Sequence, residues 1–128
     1  MNEQETKYFA THWQMNWDNK KFSGWALLDK FKETDSILDI GCGTNPLKEK
    51  LGDKVYGIDP AFDQADEKIT WDEYRPHKEF NVFLCLGSLN FGTDHEIESQ
   101  LQKLADNTKS GDRIYWRQNT FGNDHPWH

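Results

Sequence analysis

A short apolar run that leads into a glycine turn is the feature that most narrows the possible folds of this chain. The run Ser36–Ile40 ends at the turn Gly41–Gly43. An apolar run this short, bounded by a turn, is typical of a buried parallel strand. Asn45 and Pro46 follow, and these residue types favour the N-cap and the first position of a helix. The sequence therefore predicts a buried strand that passes through a tight turn into a helix.

Four further apolar runs predict more strands. They are Lys54–Pro60, the weaker Lys68–Trp71, Asn81–Leu86 and Arg113–Trp116. Strands that alternate with helices form βαβ units, and these units force a mostly parallel sheet with right-handed crossovers. We therefore expect an α/β fold with about five strands.

Three helices are predicted beside these strands. The first begins at Ser23, and the second runs from Pro46 to a stop at Gly52. The third opens with a capping box formed by Thr93 and Glu96. Its apolar residues at helical spacing predict an inner face of Ile97, Leu101 and Leu104. Residues 1–20 are aromatic but aperiodic, so we expect a short helix or an arm that packs on the body.

The size and charge of the chain limit its function. The 128 residues fit a single domain, residues 1–128, with a tail at 121–128. The net charge of −7 argues against a protein that holds a nucleic-acid backbone, because such binding needs a basic surface. A small molecule or a protein is the expected partner.

The sequence also indicates a compartment. No stretch approaches the roughly 18 consecutive apolar residues of a membrane span, and the first residues lack the pattern of a signal peptide. Cys42 and Cys85 lie in apolar segments without a CxxC spacing. A reducing, cytoplasmic setting is therefore expected, with both thiols as packing residues rather than nucleophiles.

Unusual residues stand where the predicted strands end, and in open α/β sheets ligands bind outside these carboxyl ends. The first strand ends at Gly41–Gly43, the second at Asp59, the third at Trp71-Asp72 and the fourth at Gly87-Ser88. Glycines let a ligand approach the backbone closely. A carboxylate at the end of the second strand can accept hydrogen bonds from a ribose diol. These features predict a nucleotide-like ligand.

The neighbouring residues suggest how an adenine ring would be held. Pro60 offers a flat apolar face, Trp71 can cover the ring, and Asp72 can accept from its exocyclic amine. Packing is an open alternative for Trp71, and Asp66 or Glu73 can take the place of Asp72. A dinucleotide site needs a third glycine at position 46, which is Pro46 here, so a dinucleotide is disfavoured.

Three segments carry a resemblance to a known family. Ile37–Asn45 resembles the first motif of the class I S-adenosylmethionine-dependent methyltransferases, Val55–Asp59 resembles their second, and Asn81–Asn90 resembles their fourth. The resemblance covers about residues 20 to 120. It implies a Rossmann-like three-layer sandwich with strand order 3-2-1-4-5, without the last two of the family's seven strands. Asn45 replaces the family's third glycine, and asparagine tolerates positive φ well.

The resemblance also implies roles for individual residues. Asp39 and the turn Gly41–Gly43, with Cys42 at its centre, would face the methionine moiety of S-adenosyl-L-methionine. Asp59 would bind the ribose, Asp72 the adenine amine, and Gly87 would lie near the methionine and sulfonium. Residues 83–91, followed later by Tyr-Trp-Arg-Gln-Asn at 115–119, also look like small methyltransferase-like proteins of marine phages, which implies a host cytoplasm.

Three functions follow as hypotheses. The first is methyl transfer from S-adenosylmethionine to an unidentified acceptor, the second is a binding module without turnover, and the third is a phage-type enzyme that degrades the cofactor. No catalytic residue is assigned, because the S-P-P-Y type of motif is absent after the fourth strand. The segment Arg117–Asn119 and the pair His12-Trp13 are candidates to line or cover the site. No metal site is predicted, because a ligand set of Asp124, His125 and His128 would lie on a tail.

The fifth predicted strand indicates an assembly. If Arg113–Trp116 is a sheet edge, its unpaired backbone groups invite another strand. Tyr115, Trp116 and Trp127 would form an apolar patch there. We expect a homodimer through this edge.

Overall fold

Four parallel strands form the sheet of this protein in a computed structural model, which describes residues 1–11, 23–89 and 91–118. The strands are β1 (Ile37–Ile40), β2 (Val55–Ile58), β3 (Val82–Leu86) and β4 (Arg113–Arg117). Their order is β2-β1-β3-β4, and every pair is parallel. From β1 the chain passes to β2 on one side of β1, and then crosses to β3 on its other side. The direction of the strand order therefore reverses between β1 and β3. The predicted α/β fold with a parallel sheet is confirmed.

Helices lie on both faces of the sheet. The α-helices are α1 (Glu3–Thr11), α2 (Pro46–Leu51) and α3 (Asp94–Asp106), and two 3-10 helices span Ser23–Lys30 and Gly52–Lys54. Within the described ranges, no helix is long and apolar enough to cross a membrane. The helix predicted from Ser23 forms as the 3-10 helix Ser23–Lys30. The predicted capping box of Thr93 and Glu96 opens α3 as expected.

The predicted third strand, and with it the five-strand order 3-2-1-4-5, is not formed. Only an isolated parallel bridge between Ile58 and Glu67 marks its place beside β2. The chain then makes a turn in which Thr70 accepts hydrogen bonds from the amides of Glu73 and Tyr74. This turn buries Trp71 and Tyr74 on the same side, three residues apart, which an extended strand could not do. The four strands that form keep the relative order predicted for them.

Two apolar layers enclose the sheet. Alternate β1 residues Leu38 and Ile40 pack towards α3 with Leu104, whereas Ile37 packs towards α2 and the first 3-10 helix with Leu47. The predicted inner face of α3 is partly wrong: Leu101 is 41% exposed, and Gln100 is buried instead.

A third apolar cluster fixes α1 above the carboxyl ends of the strands. Phe9 is buried against Ala61, which follows β2, and Phe91, which follows β3. The rings of Phe9 and Phe91 meet edge to face at 5.2 Å. The predicted packing of the first residues on the body therefore holds for α1. His12, Trp13, Asn119 and the tail lie outside the described residues.

Candidate functional site

The glycine turn lies at the point where the strand order reverses. Gly41 and Gly43 have φ values of +74° and +61°, which glycine adopts without steric cost. The amides of Gly41 and Cys42 donate to the carbonyl of Ile58 at 2.9 and 3.0 Å, so the turn is held to the end of β2. Asn45 also has a positive φ, +66°, as its residue type allows. The turn thus survives without a third glycine.

Asp59 connects the glycine turn to the loop after β2. Its Oδ2 accepts a hydrogen bond from the Gly43 amide at 3.0 Å, and its Oδ1 accepts from the Ala61 amide at 2.8 Å. The residue is 6% exposed. Burial raises the pKa of Asp59, against the opposing effect of these two amides. The Phe62 amide is a third donor to this carboxylate, so of its roughly four lone-pair sites about one stays open for a further donor.

Asp39 is the second buried acid of the site. It lies in β1 in register with Gly57 and Leu84 and is 3% exposed. Among the described residues, no side chain or amide donates a hydrogen bond to its carboxyl group, and no cation lies within 4 Å. Burial, and then the neighbouring Asp59 carboxylate, raises the pKa of Asp39 to about 7.

The ends of β1 and β3 pack directly on each other. A Cβ atom on Gly41 would overlap the side chain of Ser88, so only glycine permits this contact. The Ser88 hydroxyl is buried and finds no hydrogen-bond partner among the described residues. Gly87 has a φ of +77°, and Arg117 packs over it and donates to the Leu86 carbonyl at 3.1 Å. A polar group without a partner among the described residues therefore lies where these two strand ends meet.

A network that the sequence did not indicate supports the turn from below. Asp66 accepts hydrogen bonds from the Gly57 amide at 2.8 Å and from the Asn45 side chain at 3.1 Å. Lys48 of α2 donates to the other oxygen of Asp66 at 2.5 Å. A Cβ atom on Gly57 would lie 2.7 Å from the Cys42 sulfur. In the sequence, a glycine inside a predicted strand, Gly57, was the one sign that the turn packs closely on β2.

The predicted adenine residues are distributed over two environments. Trp71 is buried under α3, where its Nε1 donates to the Gln100 carbonyl at 3.1 Å and Lys103 Nζ lies 4.6 Å from its ring. Asp72 has a half-exposed side chain, 3.9 Å from the amino group of Met1. Pro60 is partly buried beside Asp59. Trp71 thus has a packing role in this structure, and the adenine contacts remain predictions.

A groove of about 370 Å³ lies beside α3. Its lining residues are Asp72, His95, Glu96, Ser99 and Lys103. Only Asp72 was predicted as a site residue. The groove is separate from the glycine turn, whose residues do not line it.

The two thiols are unsuited to nucleophilic chemistry. Both are buried, and burial raises the pKa of Cys85 to about 12 and that of Cys42 well above the usual range. The neighbouring Asp39 carboxylate adds to both shifts. The thiols therefore stay protonated at neutral pH.

No protein-family model matches the chain, and neither the curated proteins nor the solved structures contain a match to it.

Proposed function

We propose that this protein is a Rossmann-like, class I S-adenosylmethionine-dependent methyltransferase that acts on an unidentified acceptor. One observation carries the proposal. A glycine turn at the switch point of a parallel sheet is hydrogen-bonded, through the Gly43 amide, to the acid that ends β2. Ligands of open α/β sheets bind at this point.

The chemistry of the residues fits the cofactor. S-adenosylmethionine is positively charged at its sulfonium and amino groups, and two buried acids, Asp39 and Asp59, stand at the turn without a cationic partner within 4 Å among the described residues. The buried Ser88 hydroxyl offers one more polar group that lacks a partner in the described chain. These groups favour a polar, cationic ligand over an apolar one.

Most of the predicted residues have a part in holding this ligand. Asp39 and the turn around Cys42 would bind the methionine moiety, and Asp59 would bind the ribose through its remaining lone-pair site. Pro60, beside Asp59, would pack on the adenine, and Gly87 would lie near the methionine and the sulfonium. Trp71, which packs under α3, and Asp72, which lines the separate groove, would not contact a ligand at the turn. The cofactor supplies a methyl group bonded to a positively charged sulfur, which is a good leaving group.

The chain would position the cofactor and the acceptor and would exclude water from between them. Ser88, which follows β3, and Arg117, the last residue of β4, would lie beside an approaching acceptor. Helix α1 covers the loops that follow β2 and β3, through Phe9. Holding two reactants in this geometry replaces a bimolecular encounter by a unimolecular step.

We expect the acceptor to be a small molecule or a protein in the cytoplasm. The net charge of −7 disfavours nucleic acid.

We also propose a homodimer through β4. Within the described ranges β4 pairs only with β3, so its other edge is unpaired. Ile114 and Trp116 lie on one side of this strand and are 45% and 38% exposed. Sedimentation of the wild type and of a Trp116→Lys variant tests this proposal. A single monomeric species of the wild type at high concentration would exclude it.

Calorimetry and mass spectrometry together test the proposed activity. Calorimetry is expected to show binding of S-adenosylmethionine and of its demethylated product. Mass spectrometry is then expected to show transfer of the methyl group to a member of an acceptor panel. Binding without turnover on any acceptor would favour a binding module, and loss of the cofactor without an acceptor would favour a degrading enzyme. Absence of binding at millimolar ligand would refute the proposal.

A further inference from the structure

Asp39 differs from the other buried acids of the described chain. Asp35 accepts hydrogen bonds from Asn81 at 2.9 Å and from the Lys32 amide at 2.7 Å, and it pairs with Arg113. Asp59 accepts from the backbone amides of Gly43, Ala61 and Phe62. The remaining acid, Glu5, accepts from the Asn2 amide at 3.3 Å. Asp39 alone among these four has no donor within the described residues.

The ionisable groups that face Asp39 do not compensate its charge. They are Asp59 from the loop after β2, Cys42 from the glycine turn and Cys85 from β3. Asp59 is negative when ionised, and the two thiols are neutral at physiological pH. A buried charge without a partner is unfavourable, and such a group remains protonated until a partner arrives. The turn is therefore prepared for a ligand that brings positive charge.

We propose that Asp39 makes this site select its ligand by net positive charge, so that it prefers the cationic S-adenosylmethionine to the neutral demethylated product. This inference rests on the proposed function. The two molecules share the adenosine and the amino acid and differ by one methyl group and one positive charge. Loss of the methyl group would then leave the Asp39 charge uncompensated, which favours release of the product.

The same geometry links binding to a proton. The ionised carboxylate attracts the cation, so binding of S-adenosylmethionine removes the Asp39 proton from protein that still carries it. The raised pKa of Asp39, about 7, places this exchange near neutral pH. If only the ionised form binds the cation, affinity rises on the order of tenfold from pH 5.5 to pH 7.0. This range lies below the usual pKa of an α-amino group, so the ligand itself changes little.

Calorimetric titrations at pH 5.5 and 7.0 test the inference on the intact chain. The ligands are S-adenosylmethionine, its thioether product, and an analogue with a protonated amine in place of the sulfonium. At pH 7.0 the wild type is expected to bind both cationic ligands at least tenfold more tightly than the thioether. In Asp39→Asn this preference and its pH dependence are expected to disappear. Asp53→Asn is the matched control, because Asp53 is exposed and should leave both unchanged.

A measurement on the wild type alone keeps the test independent of the variant's folding. Titrations at pH 5.5 in buffers of different ionisation enthalpy are expected to show release of about one proton per cationic ligand bound. Equal affinity for the cofactor and the thioether, with no proton released, would overturn the inference and leave the proposed function standing. Failure of all three ligands to bind would overturn the proposed function itself.

Discussion

Replacing Asp39 by asparagine should stabilise the free protein, and the gain should grow with pH. The carboxyl group is buried without a donor among the described residues, and its pKa rises from 3.8 to about 7 in the folded state. Between these two values the unfolded chain is ionised while the folded chain keeps its proton. Stability therefore falls as pH rises from about 4 to 7 and levels off above the folded pKa.

The magnitude follows from the size of this shift. Each pKa unit corresponds to 1.36 kcal/mol, so ionised Asp39 destabilises the fold by about 4 kcal/mol above pH 7. Between pH 5 and pH 8 the penalty grows by roughly 2–3 kcal/mol. Asparagine has nearly the same shape and carries no charge. The difference in free energy of unfolding between Asp39→Asn and the wild type should change by this amount, in favour of the variant.

Urea denaturation at pH 5, 6, 7 and 8 measures the difference directly, with tryptophan fluorescence as the signal. Subtracting the wild type at each pH removes the contributions of all other titrating groups. Asp53→Asn, on the exposed surface, is the matched control for replacing an aspartate by asparagine away from the turn. A pH-independent difference for Asp39→Asn would show that the carboxylate is compensated in the free protein, and the reasoning about this acid would be wrong.

Two more substitutions test the support beneath the turn. Asp66→Ala should lower the free energy of unfolding by about 2–3 kcal/mol, because the Gly57 amide, the Asn45 side chain and Lys48 would lose their acceptor. Urea denaturation at pH 7 measures this loss. Burial raises the pKa of Asp66, but these donors outweigh burial and lower it overall. The contribution of Asp66 to the free energy of unfolding should therefore fade as pH drops through its folded pKa. A contribution that stays constant down to pH 2 would contradict this. Gly57→Ala should cost about 2–3 kcal/mol in thermal unfolding, because its Cβ would overlap Asn45. Gly57 does not have a positive φ, so the loss would come from the overlap and not from backbone strain; a Gly57→Ala variant as stable as the wild type would exclude the steric explanation.

Sequence patterns predicted the elements that depend on local signals. The apolar run before Gly41 became β1, and the Thr93 capping box became the start of α3. Asn45 takes the left-handed conformation that its side chain permits. Each of these outcomes is set by residues within a few positions, so a local pattern is sufficient to predict them.

The errors lie where distant parts of the chain decide the outcome. Lys68–Trp71 resembles a strand, but Trp71 packs under α3 with Lys103 against its ring, and both partners are distant in the sequence. Leu101 fits a helical stripe, yet the buried position belongs to Gln100.

The site was likewise predictable only in part. The acids at the strand ends can be located from spacing alone. The hydrogen bond that ties Asp59 to Gly43, and the position of Asp66 below the turn, depend on how separate strands align. That alignment is not encoded in any short motif.

The most direct test of the central claim is an amide NMR titration of the ¹⁵N-labelled protein with S-adenosylmethionine. Binding at the switch point predicts saturable shifts at Gly41–Gly43, at Asp59 and at Gly87-Ser88. Amides near the separate groove, such as His95 and Ser99, should shift less. No shifts at millimolar ligand, or shifts confined to the groove, would contradict the assignment of this turn as the cofactor site.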